Sequence, residues 1–133
     1  MFGALDTATS GATVARQWLD AIADNVANMN TVRPAGEEPF RARLVLAQSK
    51  GGPGEVGQGV AVAGIRLKEG EPARVFDPDH PLADENGMVT RAHVDLAEEM
   101  TNMLMAQRTY QANLAVLDRA RDAYMAALQI GRR

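Results

Sequence analysis

The first stretch of the chain places apolar residues in an unbroken heptad rhythm. Alternating steps of three and four residues connect Leu5, Ala8, Ala12, Ala15, Leu19, Ile22, Val26 and Met29. Such a seam is typical of a long helix that packs along another helix. The cap- and turn-forming residues 25–31 are expected to end it. Gly11 is its weak point, because glycine costs up to ~1 kcal/mol relative to alanine inside a helix.

The last stretch repeats this rhythm over a longer distance. Asp95 is the predicted N-cap, with Glu98 in the capping-box position, and Gly131 is the predicted stop. The predicted seam consists of Leu96, Met100, Met103, Gln107, Tyr110, Leu114, Leu117, Arg121, Tyr124 and Leu128. Further apolar residues lie off this seam, at Met105, Ala112, Val116, Ala123, Ala127 and Ile130. Apolar residues on more than one face indicate more than one packing partner.

The middle of the chain has a different composition. All six prolines and nine of the twelve glycines fall between residues 33 and 92, which disfavours a long helix there. Short strands are predicted at 40–46, 60–67 and 73–76, in a region of three or four strands. The predicted fold is α+β, with two long terminal heptad helices forming a coiled-coil-like hairpin and a small β-rich middle segment inserted between them. The expected divisions are an N-terminal helix over 1–32, the middle segment over 33–92 and a C-terminal helix over 93–133.

The heptad seams leave two arrangements open. A self-contained hairpin, parallel or antiparallel, is one reading, and packing against other chains is the other. Few residues of the first seam are large, so the helices are expected to be marginal without neighbours. This favours assembly.

Composition restricts the classes of function. The net charge of −3 and the pI of about 5.3 argue against nucleic acid as a partner. Cysteine is absent, which removes disulfides, thiolate metal sites and cysteine nucleophiles. The first residues lack the basic and apolar regions of a cleaved signal peptide. No apolar run approaches the ~20 residues that span a bilayer, so we expect a protein that is not inserted in a membrane.

Two segments resemble chemical sites only superficially. Residues 52–57 match G-x-G-x-x-G, but a proline lies inside the motif and strand-like residues follow, whereas the dinucleotide motif opens a helix. The acidic residues of 77–85 lack the spacing of a calcium loop. We therefore predict no catalytic residue, no cofactor, no metal and no small-molecule substrate.

Two motifs carry a family resemblance. Residues 23–31 read Ala-Asp-Asn-Val-Ala-Asn-Met-Asn-Thr, and residues 99–103 and 108–113 read Glu-Met-Thr-Asn-Met and Arg-Thr-Tyr-Gln-Ala-Asn. They resemble the paired N- and C-terminal signatures of flagellar rod and hook proteins. Residues 30–33, 39–41, 59–65 and 77–87 are similar to the middle segment of the FlgC family of rod proteins. Val26 replaces the usual isoleucine, and residues 88–93 depart from the expected loop.

This resemblance implies a structural subunit of the proximal rod, the shaft that transmits torque from the membrane ring to the hook. It implies other rod proteins, copies of the same chain and the flagellar type III export apparatus as partners, and export without a cleaved signal peptide. The expected subunit-interface residues are Leu19, Ile22, Asn25, Val26, Asn28, Met29, Asn30, Met100, Met103, Arg108, Tyr110, Asn113, Leu114 and Leu117.

Several alternatives remain open at this stage. Asn25, Asn28 and Asn30 could simply cap the first helix, and Arg108, Tyr110 and Asn113 could lie on an exposed face. The chain could be another short rod protein, or a monomeric helical adaptor or export chaperone. An enzyme would need a pocket with convergent polar groups, which nothing in the sequence indicates.

Overall fold

The computed structural model describes residues 2–131 and has the predicted α+β architecture. In chain order the elements are α1 (Phe2–Ala27), β1 (Val32–Arg33), β2 (Arg43–Ser49), β3 (Val60–Leu67), β4 (Ala73–Phe76), β5 (Met88–Arg91) and α2 (Leu96–Ile130).

The two helices form an antiparallel hairpin. Near the end of α1 the Asn25 Nδ2 donates to Glu99 Oε1 near the start of α2, at 3.2 Å. Fourteen residues earlier in α1, Gly11 faces Asn113, which lies fourteen residues later in α2. The same register pairs the start of α1 with residue 122. The last eight residues of α2, 123–130, therefore extend about 12 Å beyond the described part of α1.

The predicted seam of the first helix is confirmed. Ala8, Ala12, Ala15 and Ile22 are buried, and Leu5, Leu19, Val26 and Met29 are half-buried. The seam therefore faces the interior along the whole helix, as its heptad spacing requires.

Four of the ten residues in the predicted seam of the second helix face the interior, and six do not. Its members Met103, Tyr110, Leu117 and Tyr124 are half-buried, but Leu96, Met100, Gln107, Leu114, Arg121 and Leu128 are exposed. The positions between the correct members are filled instead by Glu99, Ala106, Asn113 and Ala120, each one residue before a predicted position. The prediction followed bulky side chains, whereas the close approach of α1 selects small and polar ones.

The strands form two antiparallel sheets. One has the order β1-β5-β4, and the other is the β2-β3 hairpin, with an irregularity between Leu46 and Ala47. The predicted strands at 60–67 and 73–76 are confirmed, and the one predicted at 40–46 runs instead over Arg43–Ser49. Residues 2–131 contain five strands, where three or four were predicted. β1 is only two residues long, and β5 buries the consecutive residues Val89 and Thr90, so neither has a period-two pattern.

The β2-β3 hairpin lies against α1 and is held there by polar contacts. The Val60 N–H donates to Ser10 Oγ at 3.0 Å, and Thr7 Oγ1 donates to the Gly57 carbonyl at 2.8 Å. Gly59 has a φ of +86°, and a Cβ there would collide with Ser10 Oγ. Glycine is therefore required where the loop meets the helix.

Asp95 caps α2 as predicted. Its carboxylate accepts from the Ala97 N–H at 2.9 Å and, less closely, from the Glu98 N–H. Glu98 does not complete a capping box, since its side chain pairs with Lys68 at the end of β3.

The core is thin and consists mostly of alanine. Nine apolar side chains are buried in the described part of the chain: Ala8, Ala12, Ala15, Ala21, Ile22, Ala42, Val89, Ala92 and Ala106. Seven of the nine are alanines, so the subunit buries few large side chains within itself.

Candidate assembly interface

The predicted interface residues divide into three groups by exposure. Ile22 and Asn25 are buried within the subunit. Asn30, Met100, Arg108 and Leu114 are exposed. The remaining eight are half-buried, namely Leu19, Val26, Asn28, Met29, Met103, Tyr110, Asn113 and Leu117. The exposed group presents the most surface to a neighbour, and Ile22 and Asn25 present almost none.

Asn25 is the buried polar centre of the hairpin. Its Oδ1 accepts from the Arg43 N–H at 2.7 Å, and its Nδ2 donates to the Arg43 carbonyl at 3.1 Å. These two bonds to the backbone of β2 fix the orientation of the amide. The second Nδ2 proton reaches Glu99 Oε1, so one side chain joins α1, β2 and α2.

The other two asparagines of the first motif have separate roles. Asn28 Nδ2 donates to the Asp24 carbonyl at 2.9 Å, and Thr31 Oγ1 donates to the Asn28 carbonyl at 2.8 Å. The Asn28 side chain therefore gives a hydrogen-bond partner to a carbonyl group at the C-terminal end of α1, which agrees with the capping alternative. Asn30 is exposed.

Glu99 is a buried carboxyl group, only 3% exposed. Its Oε1 accepts from Asn25, while its Oε2 has no hydrogen-bond partner. Burial raises the pKa of Glu99, and the charge of Glu98 acts in the same direction; the Asn25 hydrogen bond and the charge of Lys68 partly oppose this.

The two helices differ sharply in how they cover their large apolar side chains. In α1 each large apolar residue from Leu5 onward is buried or half-buried. In α2 nine are exposed, at Leu96, Met100, Leu104, Met105, Leu114, Val116, Met125, Leu128 and Ile130. The uncovered apolar surface of the hairpin therefore belongs to α2.

This surface falls into two stripes when plotted at 3.6 residues per turn. The first stripe consists of Leu96, Met100, Leu104, Leu114, Met125 and Leu128. The second stripe consists of Met105, Ala112, Val116, Ala123, Ala127 and Ile130. All twelve residues are exposed, and the stripes lie on roughly opposite sides of α2, flanking the face that packs on α1.

The sequence prediction missed part of the site. Leu104 and Met125 belong to the first stripe but lie outside the predicted seam, and Glu99 entered only as the first residue of the motif 99–103. The off-seam residues that form the second stripe were recognised from their spacing. A search for a second heptad line, offset from the first, would also have found Leu104.

In residues 2–131 no cluster of three or more histidine, aspartate or glutamate side chains could hold a metal ion. In the acidic segment, Asp84 Oδ1 accepts from the N–H groups of Asn86 and Met88, which makes it part of a turn. Residues 52–57 lie in the loop between β2 and β3.

Neither described helix combines the length and apolar character that a membrane crossing requires.

Comparison with known proteins adds independent information. Residues 5–34 match the family model described as "Flagella basal body rod protein", and residues 85–130 match "Flagellar basal body rod FlgEFG protein C-terminal". The chain is 35% identical to the flagellar basal-body rod protein FlgC of Salmonella typhimurium, covering 95% of this chain and 94% of that protein. It is 38% identical to FlgC of Yersinia enterocolitica, with the same coverage. Its identity to FlgC of Bacillus subtilis is 33%, covering 98% of each.

Proposed function

Since this chain belongs to the FlgC family of flagellar basal-body rod proteins and is a structural subunit of that rod, we propose that it joins its neighbours through the two exposed stripes of α2. The observation that carries this proposal is the position of the large apolar side chains. Nine of them are exposed on α2, and a surface of that kind on a structural protein is a contact surface.

The two stripes are better suited to joining many subunits in a row than to forming a dimer. They are different surfaces on roughly opposite sides of one helix, so each subunit has room for one neighbour on each side. Contacts between unlike surfaces continue from subunit to subunit, whereas contacts between like surfaces close into a dimer. The leucines and methionines of the first stripe can pack against the smaller Ala112, Ala123 and Ala127 of the second.

The neighbours in this proposal are other rod proteins and copies of the same chain. The half-buried interface residues, such as Met103 and Leu117, hold α2 on α1 and thereby position the stripes. Such an array of axial helices would carry torque from the membrane ring to the hook, in the proximal part of the rod. Delivery by the flagellar type III export apparatus, without a cleaved signal peptide, completes the proposal.

Exposed residues on the first stripe provide the test. Met100 and Leu114 are 58% and 38% exposed, so Met100→Asp combined with Leu114→Asp leaves the packing of α2 on α1 intact. The double variant is produced in a strain of the source bacterium that lacks its own copy of the gene. We expect loss of swimming and absence of the variant from purified basal bodies, because two charges would be buried at the contact.

A matched control separates this effect from added charge. Thr101→Asp combined with Ala115→Asp adds the same two charges to exposed positions of α2 outside both stripes. It should support swimming, and circular dichroism should show equal helix content in both double variants. Normal incorporation of the Met100/Leu114 variant into basal bodies would refute the first stripe as a contact surface.

A further inference from the structure

The end of the hairpin where α1 and α2 meet contains an ionisable group with no counter-ion bonded to it. Glu99 is 3% exposed, and its Oε2 lacks any hydrogen-bond partner in the described structure. An ionised carboxylate in such a place loses its hydration without receiving equivalent bonds. Burial of a neutral carboxyl group costs much less hydration free energy, and its carbonyl oxygen can still accept the hydrogen bond from Asn25.

The surrounding side chains offer an ionised Glu99 little compensation. The Asn25 amide is fixed by its two bonds to the Arg43 backbone, so it can offer Glu99 only its one remaining N–H. The Arg43 guanidinium is paired with Asp24 of α1. Lys68, which directly follows β3, is paired with Glu98, and its charge lowers the Glu99 pKa only partly.

Acidic groups on α2 itself add to the effect. Glu98 precedes Glu99, and its charge disfavours a second carboxylate. Asp95 is occupied in capping the helix. From α1, β2, β3 and α2 together, the charged neighbours are thus committed to other pairs, and Glu99 receives one hydrogen bond.

We propose that the Asn25–Glu99 contact is a pH-sensitive latch, which holds the helical hairpin more firmly when Glu99 is protonated and less firmly when it is ionised. The proposal concerns the closing of the hairpin within one subunit. It stands apart from the role of the stripes, since it requires no neighbour.

The direction of the effect follows from linkage. Burial raises the pKa of Glu99 in the folded chain above the ordinary value of 4.5, so the folded state binds a proton that the unfolded state has already released. The extra stability is complete below that ordinary value and is lost as the pH rises through the folded-state pKa. One group contributes at most about a tenfold change in the unfolding constant per pH unit.

The test compares two variants of the full chain. Urea unfolding is followed by circular dichroism between pH 4.5 and 8 for the parent, Glu99→Gln and Glu98→Gln. Sucrose, which does not ionise in this pH range, is added at every pH if the helices are not folded without it. Low protein concentration is needed, because the sequence pI is about 5.3. Glutamine has the shape of the protonated carboxyl group and cannot ionise.

We expect the stability of the parent relative to Glu99→Gln to be greatest at the lowest pH measured, about 4.5, and to fall as the pH rises. Glu98→Gln should keep most of the pH dependence, because burial of Glu99, the main cause of its raised pKa, is unchanged and only the smaller effect of the Glu98 charge is lost. Equal pH dependence in the parent and Glu99→Gln would overturn the proposal.

A direct measurement covers the case in which Glu99→Gln fails to fold. The ¹³C signal of the Glu99 carboxyl group in the parent should titrate above pH 4.5. A midpoint at or below that value would also overturn the latch, whereas the stripe variants of α2 would be unaffected by either result.

Discussion

Replacing Gly11 by alanine tests how closely α1 and α2 approach each other. A Cβ at this position would lie 2.5 Å from Asn113 Oδ1 and 2.8 Å from Asn113 Cγ. Turning the amide about the Cβ–Cγ bond moves Oδ1 but leaves Cγ in place, so it does not make room. The whole Asn113 side chain must therefore move. That movement also breaks the Asn113 bond to the Thr109 carbonyl, which is 2.9 Å long.

The magnitude follows from two opposing effects. Alanine in place of glycine favours the helix by up to ~1 kcal/mol, while overpacking of a close contact costs about 1–3 kcal/mol. Gly11→Ala should therefore lower the free energy of unfolding by about 0–2 kcal/mol. Gly3→Ala is the matched control, since its Cβ would meet nothing within 4 Å, and it should be neutral or stabilising. The two variants should differ by about 1–3 kcal/mol.

Urea unfolding followed by circular dichroism and by fluorescence measures this difference, because the single tryptophan, Trp18, lies on α1 and is half-buried. Adding Asn113→Ala to Gly11→Ala should restore most of the loss. A double-mutant cycle then gives the coupling between the two positions. If Gly11→Ala is as stable as Gly3→Ala, or if Asn113→Ala gives no rescue, the close approach described above is wrong.

Two further variants test local features. Asp95→Ala should cost about 1 kcal/mol in urea unfolding, because the N-terminal N–H groups of α2 lose their acceptor; an unchanged midpoint would contradict the cap. Gly87→Ala should destabilise the turn before β5 by about 1–3 kcal/mol, since φ is +70° and a Cβ would lie 2.9 Å from the Phe76 ring. Gly36→Ala is the control, because its φ is +93° but a Cβ there would meet no atom within 4 Å. It should lose stability only through backbone strain. Equal losses of stability in the two variants, measured by thermal unfolding, would count against the Phe76 contact.

The sequence predicts the helices well and their packing less well. Heptad spacing identified the buried face of α1, because leucine, isoleucine and alanine there all point in one direction. In α2 the same rule selected Met100 and Leu114, which are exposed, since bulky residues also occupy the faces turned away from α1. Periodicity locates an apolar line on a helix, but it does not say whether that line meets the same chain or another one.

The buried polar contact lay beyond sequence reasoning for a related reason. Asn25 and Glu99 are separated by 74 residues, and each has an adequate local explanation, as a capping residue and as an acid in the first turn of a helix. Only the antiparallel register of α1 and α2 brings them together. The short strands β1 and β5 were missed because pairing with a neighbouring strand, more than their own composition, makes them strands.

The unequal lengths of the two helices have a consequence for the order of events in assembly. Residues 125–130 of α2, beyond the half-buried Tyr124, are all exposed, and an exposed helix end of between one and two turns is barely stable in water. This tip can therefore unwind in solution at little cost while the paired part of the hairpin stays closed. Contact with an adjacent subunit would rewind it, so that the final turns of α2 become rigid only after the subunit has reached its place.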